Sequence, residues 1–193
     1  MKEALAIIGA LLILGSPLPY IIDIVKGKTK PNIVTWFTWS LLTGIAAAAL
    51  FAEGQPRAGQ LLVADTAGTL AIVLFGLRHG IAKLDWIDGL LQLGAIVGLV
   101  LWLVFNSPMI AIVMTITVDL LATIPTLRHS WSEPDEETTI TFVLCAVAAL
   151  LTLLSLKTYD VSGWIYPVYL LLNNSALAIT ISHGRRKAAS AKE

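Results

Sequence analysis

Apolar residues run in seven long stretches separated by short polar loops, near positions 4–25, 33–53, 59–79, 84–105, 109–129, 138–156 and 162–183. About 20 apolar residues span the hydrocarbon core of a bilayer as a helix. The pattern therefore predicts an all-α polytopic membrane protein with seven transmembrane helices. Little sequence remains outside the stretches, so no soluble domain is expected. The first stretch carries Pro17 and Pro19, and no small-residue cleavage pattern precedes the Lys-rich loop that follows it. It is read as a retained helix and not as a signal peptide.

Composition agrees with the pattern. Hydrophobic residues make up 56% of the chain and charged residues 13%, against roughly 25% charged in a soluble domain. Mean hydropathy is +0.80. The net charge of zero hides a segregation by side. Lys2, Arg57 and Lys157 fall on the N-terminal side. Lys26, Lys28, Lys30, Arg78, Lys83, Arg128, Arg185, Arg186, Lys187 and Lys192 fall on the other. Because basic residues favour the cytoplasm, the N-terminus is expected outside and the C-terminus inside. The 128–137 loop also carries Glu133, Asp135, Glu136 and Glu137, but acidic residues count little in this rule.

The chain contains an internal similarity at an offset of 106 residues. Pro19-Tyr20-Ile21 leads through the loop 26–32 to Ile33-Val34-Thr35-Trp36-Phe37, and Pro125-Thr126-Leu127 leads through 132–138 to Thr139-Ile140-Thr141-Phe142-Val143. Both copies begin with an outward-to-inward helix. Two three-helix units of the same orientation need one bridging helix, which gives a 3+1+3 parallel repeat. The units are 1–80 and 107–184, the bridge is 81–106, and 185–193 is a basic cytoplasmic tail.

This layout, the outside N-terminus and the proline-ended first and fifth helices resemble the PQ-loop, SWEET-like superfamily of small-solute transporters. The local match is Pro19-Tyr20-Ile21-Ile22-Asp23-Ile24-Val25-Lys26-Gly27-Lys28, followed by Trp36 and Trp39. Tyr20 and Thr126 stand where the family has Gln. The second helix of each repeat, 33–53 and 138–156, lacks the proline of sugar-transporting members. The segment Lys30-Pro31-Asn32-Ile33-Val34-Thr35-Trp36 is similar to bacterial membrane proteins associated with the superfamily. The resemblance implies a plasma (inner) membrane protein that moves a small-molecule solute by alternating access, with Pro19 and Pro125 as hinges. It also implies polar solute ligands on the third helix of each repeat, carried here to Asn173 and to Asp65 or Thr69.

Polar groups inside the spans supply the other candidates. A charge at the membrane centre costs roughly 2.5–3.5 kcal/mol on the mildest scale. Asp119 sits about 15 Å into the fifth span at 1.5 Å per residue. Thr115, Asp119, Thr123 and Thr126 share one helix face, which should point into the bundle because lipid cannot satisfy it. Asp119 is the candidate proton-coupling residue, the alternative being a structural acid held by Thr hydroxyls. Asp65 and Thr69, and Tyr166, Tyr169, Asn173 and Asn174, place polar groups on the third and seventh spans. Trp39 is a candidate cleft wall or stacking platform. The expected substrate-binding set is thus Asn173, Trp39, Asp65, Thr69 and Tyr169. Asp85 and Asp88 favour the N-terminal end of the fourth span, and Gln92 is read as structural. Trp86, Trp131 and Trp164 fit interfacial belts, with Trp36 also near an interface. Gly44 and Ala46-Ala47-Ala48-Ala49 favour close packing.

The single cysteine, Cys145, permits no intramolecular disulfide and is read as a small buried residue. His79, His129 and His183 share the cytoplasmic depth. No catalytic motif is present, so no enzyme, cofactor or metal site is expected. Without a lysine in the seventh span, a retinal-type pigment is disfavoured. Expected partners are a solute and the lipid bilayer, with no nucleic acid. A homo-oligomer is not required, because one chain holds both repeats. The alternative to transport is a non-transporting receptor that uses the same cleft, or a scaffold that recruits a partner through the acidic 133–137 loop.

Overall fold

A computed structural model describes residues 1–29, 31–78 and 86–190, with backbone alone at 87, 88, 91, 92 and 125. Lys30, His79, Lys83, Asp85 and Lys192, and the side chains of Asp88, Gln92 and Pro125, lie outside the described residues. Among those described, the chain is almost entirely helical and has no β-strand. The helices are α1 (Lys2–Gly15), α2 (Pro17–Val25), α3 (Ile33–Ala52), α4 (Pro56–Gly76), α5 (Trp86–Phe105), α6 (Pro108–Ser132), α7 (Thr139–Ser155) and α8 (Val161–Ser190). A short 3₁₀ turn, Pro134–Glu136, precedes α7.

Five stretches are long and apolar enough to cross a membrane: Lys2–Val25, Ile33–Ala52, Pro56–Gly76, Pro108–Ser132 and Val161–Ser190. The apolar part of α5, Leu93–Phe105, and α7 are shorter. These helices lie where the apolar pattern placed its seven stretches. Their ends have local causes. Asn32 caps α3 by accepting from the Val34 amide at 3.1 Å. Pro56 and Pro108 open α4 and α6 at a position that lacks a helical hydrogen bond anyway. Gly27 and Gly54, both at φ +71°, close α2 and α3. The Lys28 and Gln55 amides then reach back to the Asp23 and Leu50 carbonyls at 2.9 and 2.8 Å.

The helices form a ring in the order α1–α4–α3–α6–α8–α7, closed by α7 against α1, with α2 continuing α1 along α4. The bridge helix α5 lies outside the ring against α6 and α3. Gly94 and Gly98 on α5 let it approach α6: a Cβ at either would fall 2.9 Å from Val118 or 2.8 Å from Met114. The outer face is apolar. Ile7, Leu11, Leu14, Leu18, Ile22 and Val25 form an exposed stripe along α1 and α2. Thr115, Asp119 and Thr123 of α6 are buried, the arrangement that lipid imposes.

The first span is interrupted at Ser16, three residues before the Pro19 hinge position read from sequence. Pro17 lacks the amide that would reach Ile13, and the Ser16 hydroxyl takes up that carbonyl at 2.8 Å. Through Pro125, by contrast, the helix assignment continues to Ser132. Pro167, which the sequence reading passed over, lies buried inside α8.

Residues 185–190 continue α8, as their Arg, Lys and Ala content favours. Arg185 donates to the Glu137 carbonyl at 2.6 Å and to the Pro134 carbonyl at 3.2 Å. The 133–137 segment is therefore tied down, and Glu137 is buried. Its carboxylate accepts from the Tyr20 hydroxyl at 3.2 Å. Beside it, Thr138 donates to Asp23 at 2.9 Å and meets Thr29 at 3.1 Å.

Burial pushes the Glu137 carboxyl from 4.5 up to about 7; the Tyr20 hydrogen bond opposes the rise and the neighbouring Glu136 adds to it. The folded chain therefore holds this proton more tightly than the unfolded chain. Stability is expected to fall as pH rises from about 4.5 to 7, by roughly 2–3 kcal/mol, and then level off. Glu137→Gln should remove this slope and unfold at higher temperature than wild type at pH 8 but not at pH 4.5. Melting curves that shift with pH in parallel for both proteins would refute the assignment.

Candidate functional site

The ring encloses a narrow cavity of about 40 Å³, enough for a few waters at roughly 10–15 Å³ each. Every position of the ring contributes to its lining, and no described side chain of α5 does. Ser16 and Pro17 come from the α1–α2 break, Trp36, Trp39 and Thr43 from α3, and Asp65, Thr69 and Ile72 from α4. Asp119 comes from α6, Thr141, Phe142 and Cys145 from α7, and Leu170, Asn173, Asn174 and Leu177 from α8. The structure thus brings Trp39, Asp65, Thr69, Asp119 and Asn173 together around one space.

Each side chain is set by its helix. On α6, the residues at helical spacing, Thr115, Asp119 and Thr123, turn inward as expected. Thr115 and Thr123 donate back to the Ala111 and Asp119 carbonyls at 2.9 and 3.0 Å. Asp119 is only 3% exposed, and its Oδ1 has no hydrogen-bond partner. The Tyr169 hydroxyl and the Trp39 indole lie beside its carboxyl, and Asp65 is near enough to interact with it electrostatically. Neither Tyr169 Oη nor Trp39 Nε1 has a hydrogen-bond partner. Tyr169 is half-buried next to the site and packs edge-on to Tyr166 with ring centroids 5.8 Å apart.

Asn173 donates to the Thr123 hydroxyl at 3.1 Å, which ties α8 to α6. Asn174 donates to Leu170 in its own helix at 2.9 Å. Thr69 is engaged in helix pairing: its hydroxyl lies 2.9 Å from Ser40 and 3.0 Å from the Asp65 carbonyl. Thr43 and Thr66 make a second hydroxyl contact at 2.9 Å between α3 and α4.

Three lining groups were not singled out from sequence as part of a site. Trp36 is buried and faces the cavity despite its place near a helix end. Its ring stacks edge-on between Tyr20 and Trp39 at 4.8 and 4.9 Å, so an aromatic row leads from Glu137 to the cavity. Cys145 is buried, as expected, but it also lines the cavity and contacts the Ser16 hydroxyl at 3.2 Å. Thr141 has an unpartnered buried hydroxyl. A signal for the α7 residues exists in the sequence: Thr138, Thr141, Cys145, Ala148 and Thr152 recur at spacings of three and four, and all are buried.

Among the described residues no Lys, Arg or His lines the cavity. Among the described residues no cluster of three His, Cys, Asp or Glu side chains is placed to hold a metal ion. The arrangement suits a small polar or cationic group held by carboxylates, an amide and aromatic faces. In comparisons with family models, with curated proteins and with solved structures, the chain matches none.

Proposed function

We propose that this chain is a seven-span, inner-membrane transporter of a small solute, built on the 3+1+3 plan of the PQ-loop, SWEET-like proteins. The carrying observation is that Asp65, Asp119, Asn173 and Trp39, from four helices, converge on one cavity inside the bundle. Buried polar groups of this kind mark solute and ion pathways in membrane proteins. The packing order supports the repeat. Exchanging α1–α2 with α6, α3 with α7 and α4 with α8 maps each neighbour pair of the ring onto another neighbour pair. Alternating access then moves one three-helix unit against the other around the cavity. The Ser16–Pro17 interruption lies where the first unit would flex, and Asp119 carries the coupled proton. The buried Glu137 and its tethered loop favour this reading over partner recruitment by the acidic segment.

Uptake into proteoliposomes tests the reading. Asn173→Ala, which removes the bridge to Thr123, is expected to lower uptake roughly three- to tenfold, the equivalent of about 1 kcal/mol. The absence of flux across a broad solute panel would remove transport itself. Orientation is tested separately in a Cys145→Ala background. Lys157→Cys should react with an impermeant maleimide from outside, and Arg186→Cys only after the membrane is opened. The reverse pattern would overturn the N-out assignment.

A further inference from the structure

The charge of the cavity constrains what it binds. Asp65 and Asp119 face it from α4 and α6. The other titratable groups around the pair are Tyr166 and Tyr169 from α8 and Cys145 from α7, while α3 contributes the neutral Trp39. None is a base. An uncompensated carboxylate in such a place costs several kcal/mol, so the pair needs a positive charge from a proton or from a ligand. An anion or a zwitterionic carboxylate would find no cationic partner there among the described residues. Three polar atoms on lining residues are buried and make no hydrogen bond within 3.5 Å: Asp119 Oδ1, Thr141 Oγ1 and Trp39 Nε1, on residues 3%, 2% and 8% exposed, with the Trp39 indole and Tyr169 hydroxyl beside the Asp119 carboxyl. Two are acceptors fit for an ammonium, and the third is a donor fit for one neutral oxygen. The Trp36 and Trp39 rings add faces that attract a cation.

We propose that the cavity binds a small organic cation, an ammonium group carrying a neutral hydroxyl, in exchange for a proton held by the Asp65–Asp119 pair. The ammonium sits at Asp119 and Asp65, and the indole of Trp39 donates to the hydroxyl. This rests on the proposed transport function for its purpose but not for its binding chemistry, so the two are tested apart.

The test uses the full chain in lipid nanodiscs and three probes of similar size: 2-aminoethanol (cationic at neutral pH), ethylene glycol and glycolate. Isothermal titration in two buffers of different ionisation enthalpy gives affinity and proton release together. The expected result is saturable binding of 2-aminoethanol, at least tenfold tighter than either other probe, with close to one proton released per cation bound at a pH where the pair is protonated. Asp119→Asn and Asp65→Asn should each weaken binding about tenfold or more. The proton count on the wild-type chain guards against a variant that fails to fold. Equal or tighter binding of glycol or glycolate, no proton release, no binding of any probe, or displacement by sodium or potassium at equal concentration each overturns the proposal. Binding without flux in proteoliposomes leaves this proposal standing and removes transport. Flux of neutral solutes without cation binding does the opposite.

Discussion

Asp119→Asn is expected to reduce solute uptake by roughly 30- to 100-fold while leaving the protein folded. The carboxylate is buried on the inner face of α6, its Oδ1 is unpartnered, and it faces Asp65, Trp39 and Tyr169. An amide of the same shape keeps the packing and removes both the charge and the exchangeable proton. Losing one partner of a desolvated charged contact costs about 2–5 kcal/mol, and the lower part of that range corresponds to the expected loss. The substitution should also abolish any dependence of uptake on a pH gradient. Measuring uptake with and without such a gradient separates the two effects. Wild-type uptake and pH dependence in the variant would return Asp119 to a structural role. Unfolding temperature, measured in parallel, shows whether the amide is tolerated.

Gly68→Ile is expected to give the largest loss of stability among single substitutions away from the cavity. A Cβ at Gly68 would fall 2.5 Å from Cγ of Pro17, and the proline ring cannot swing aside as a flexible side chain would. Pro17 opens α2 directly after the Ser16 interruption and also lines the cavity. The added branched side chain must push α2 off α4. Overpacking of this kind costs about 1–3 kcal/mol, and a β-branched residue against a rigid ring belongs at the upper end. The unfolding midpoint should fall by roughly 5 °C or more, and solute binding should weaken as the cavity wall moves. Gly15→Ala is the control, because nothing lies within 4 Å of its added Cβ. Equal midpoints for the two variants would show that the Gly68–Pro17 contact does not hold the first span in place.

Much of the cavity was legible because helical periodicity is local. The spacing of Thr115, Asp119 and Thr123 is enough to put them on one face, and the cost of polar groups in lipid turns that face inward. Asn173, Trp39 and Asp65 were reached the same way, from polar or aromatic positions inside apolar stretches. Other groups could not be read so. Glu137 stands in a run of acids that looks fully hydrated; its burial depends on Tyr20, 117 positions away, and on Arg185 closing over the loop. Trp36 looks interfacial by position and becomes a cavity wall only because α2 and α3 meet through the Tyr20 and Trp36 rings. The basic 185–190 segment reads as a tail by charge, yet it continues α8, and Arg185 within it donates to carbonyls of the preceding loop.

The copies also diverge where the chemistry lies. Asp119 has Ile13 as its counterpart at the 106-residue offset, and Ile13 is buried in the apolar core. The acid near Asp119 at the cavity is instead Asp65 on α4, the third helix of the first repeat.

By itself the sequence determined where the helices lie, the apolar outer surface and the inward polar stripe. Each follows from interactions within a few residues, or between one residue and lipid, and needs no knowledge of neighbours. The tertiary structure alone decided which polar groups share a cavity, which loop acid is buried, and where the first span is interrupted against α4. Those depend on the order in which helices pack, and contacts such as Tyr20–Glu137, Ser16–Cys145 and Pro17–Gly68 join residues that no local rule relates.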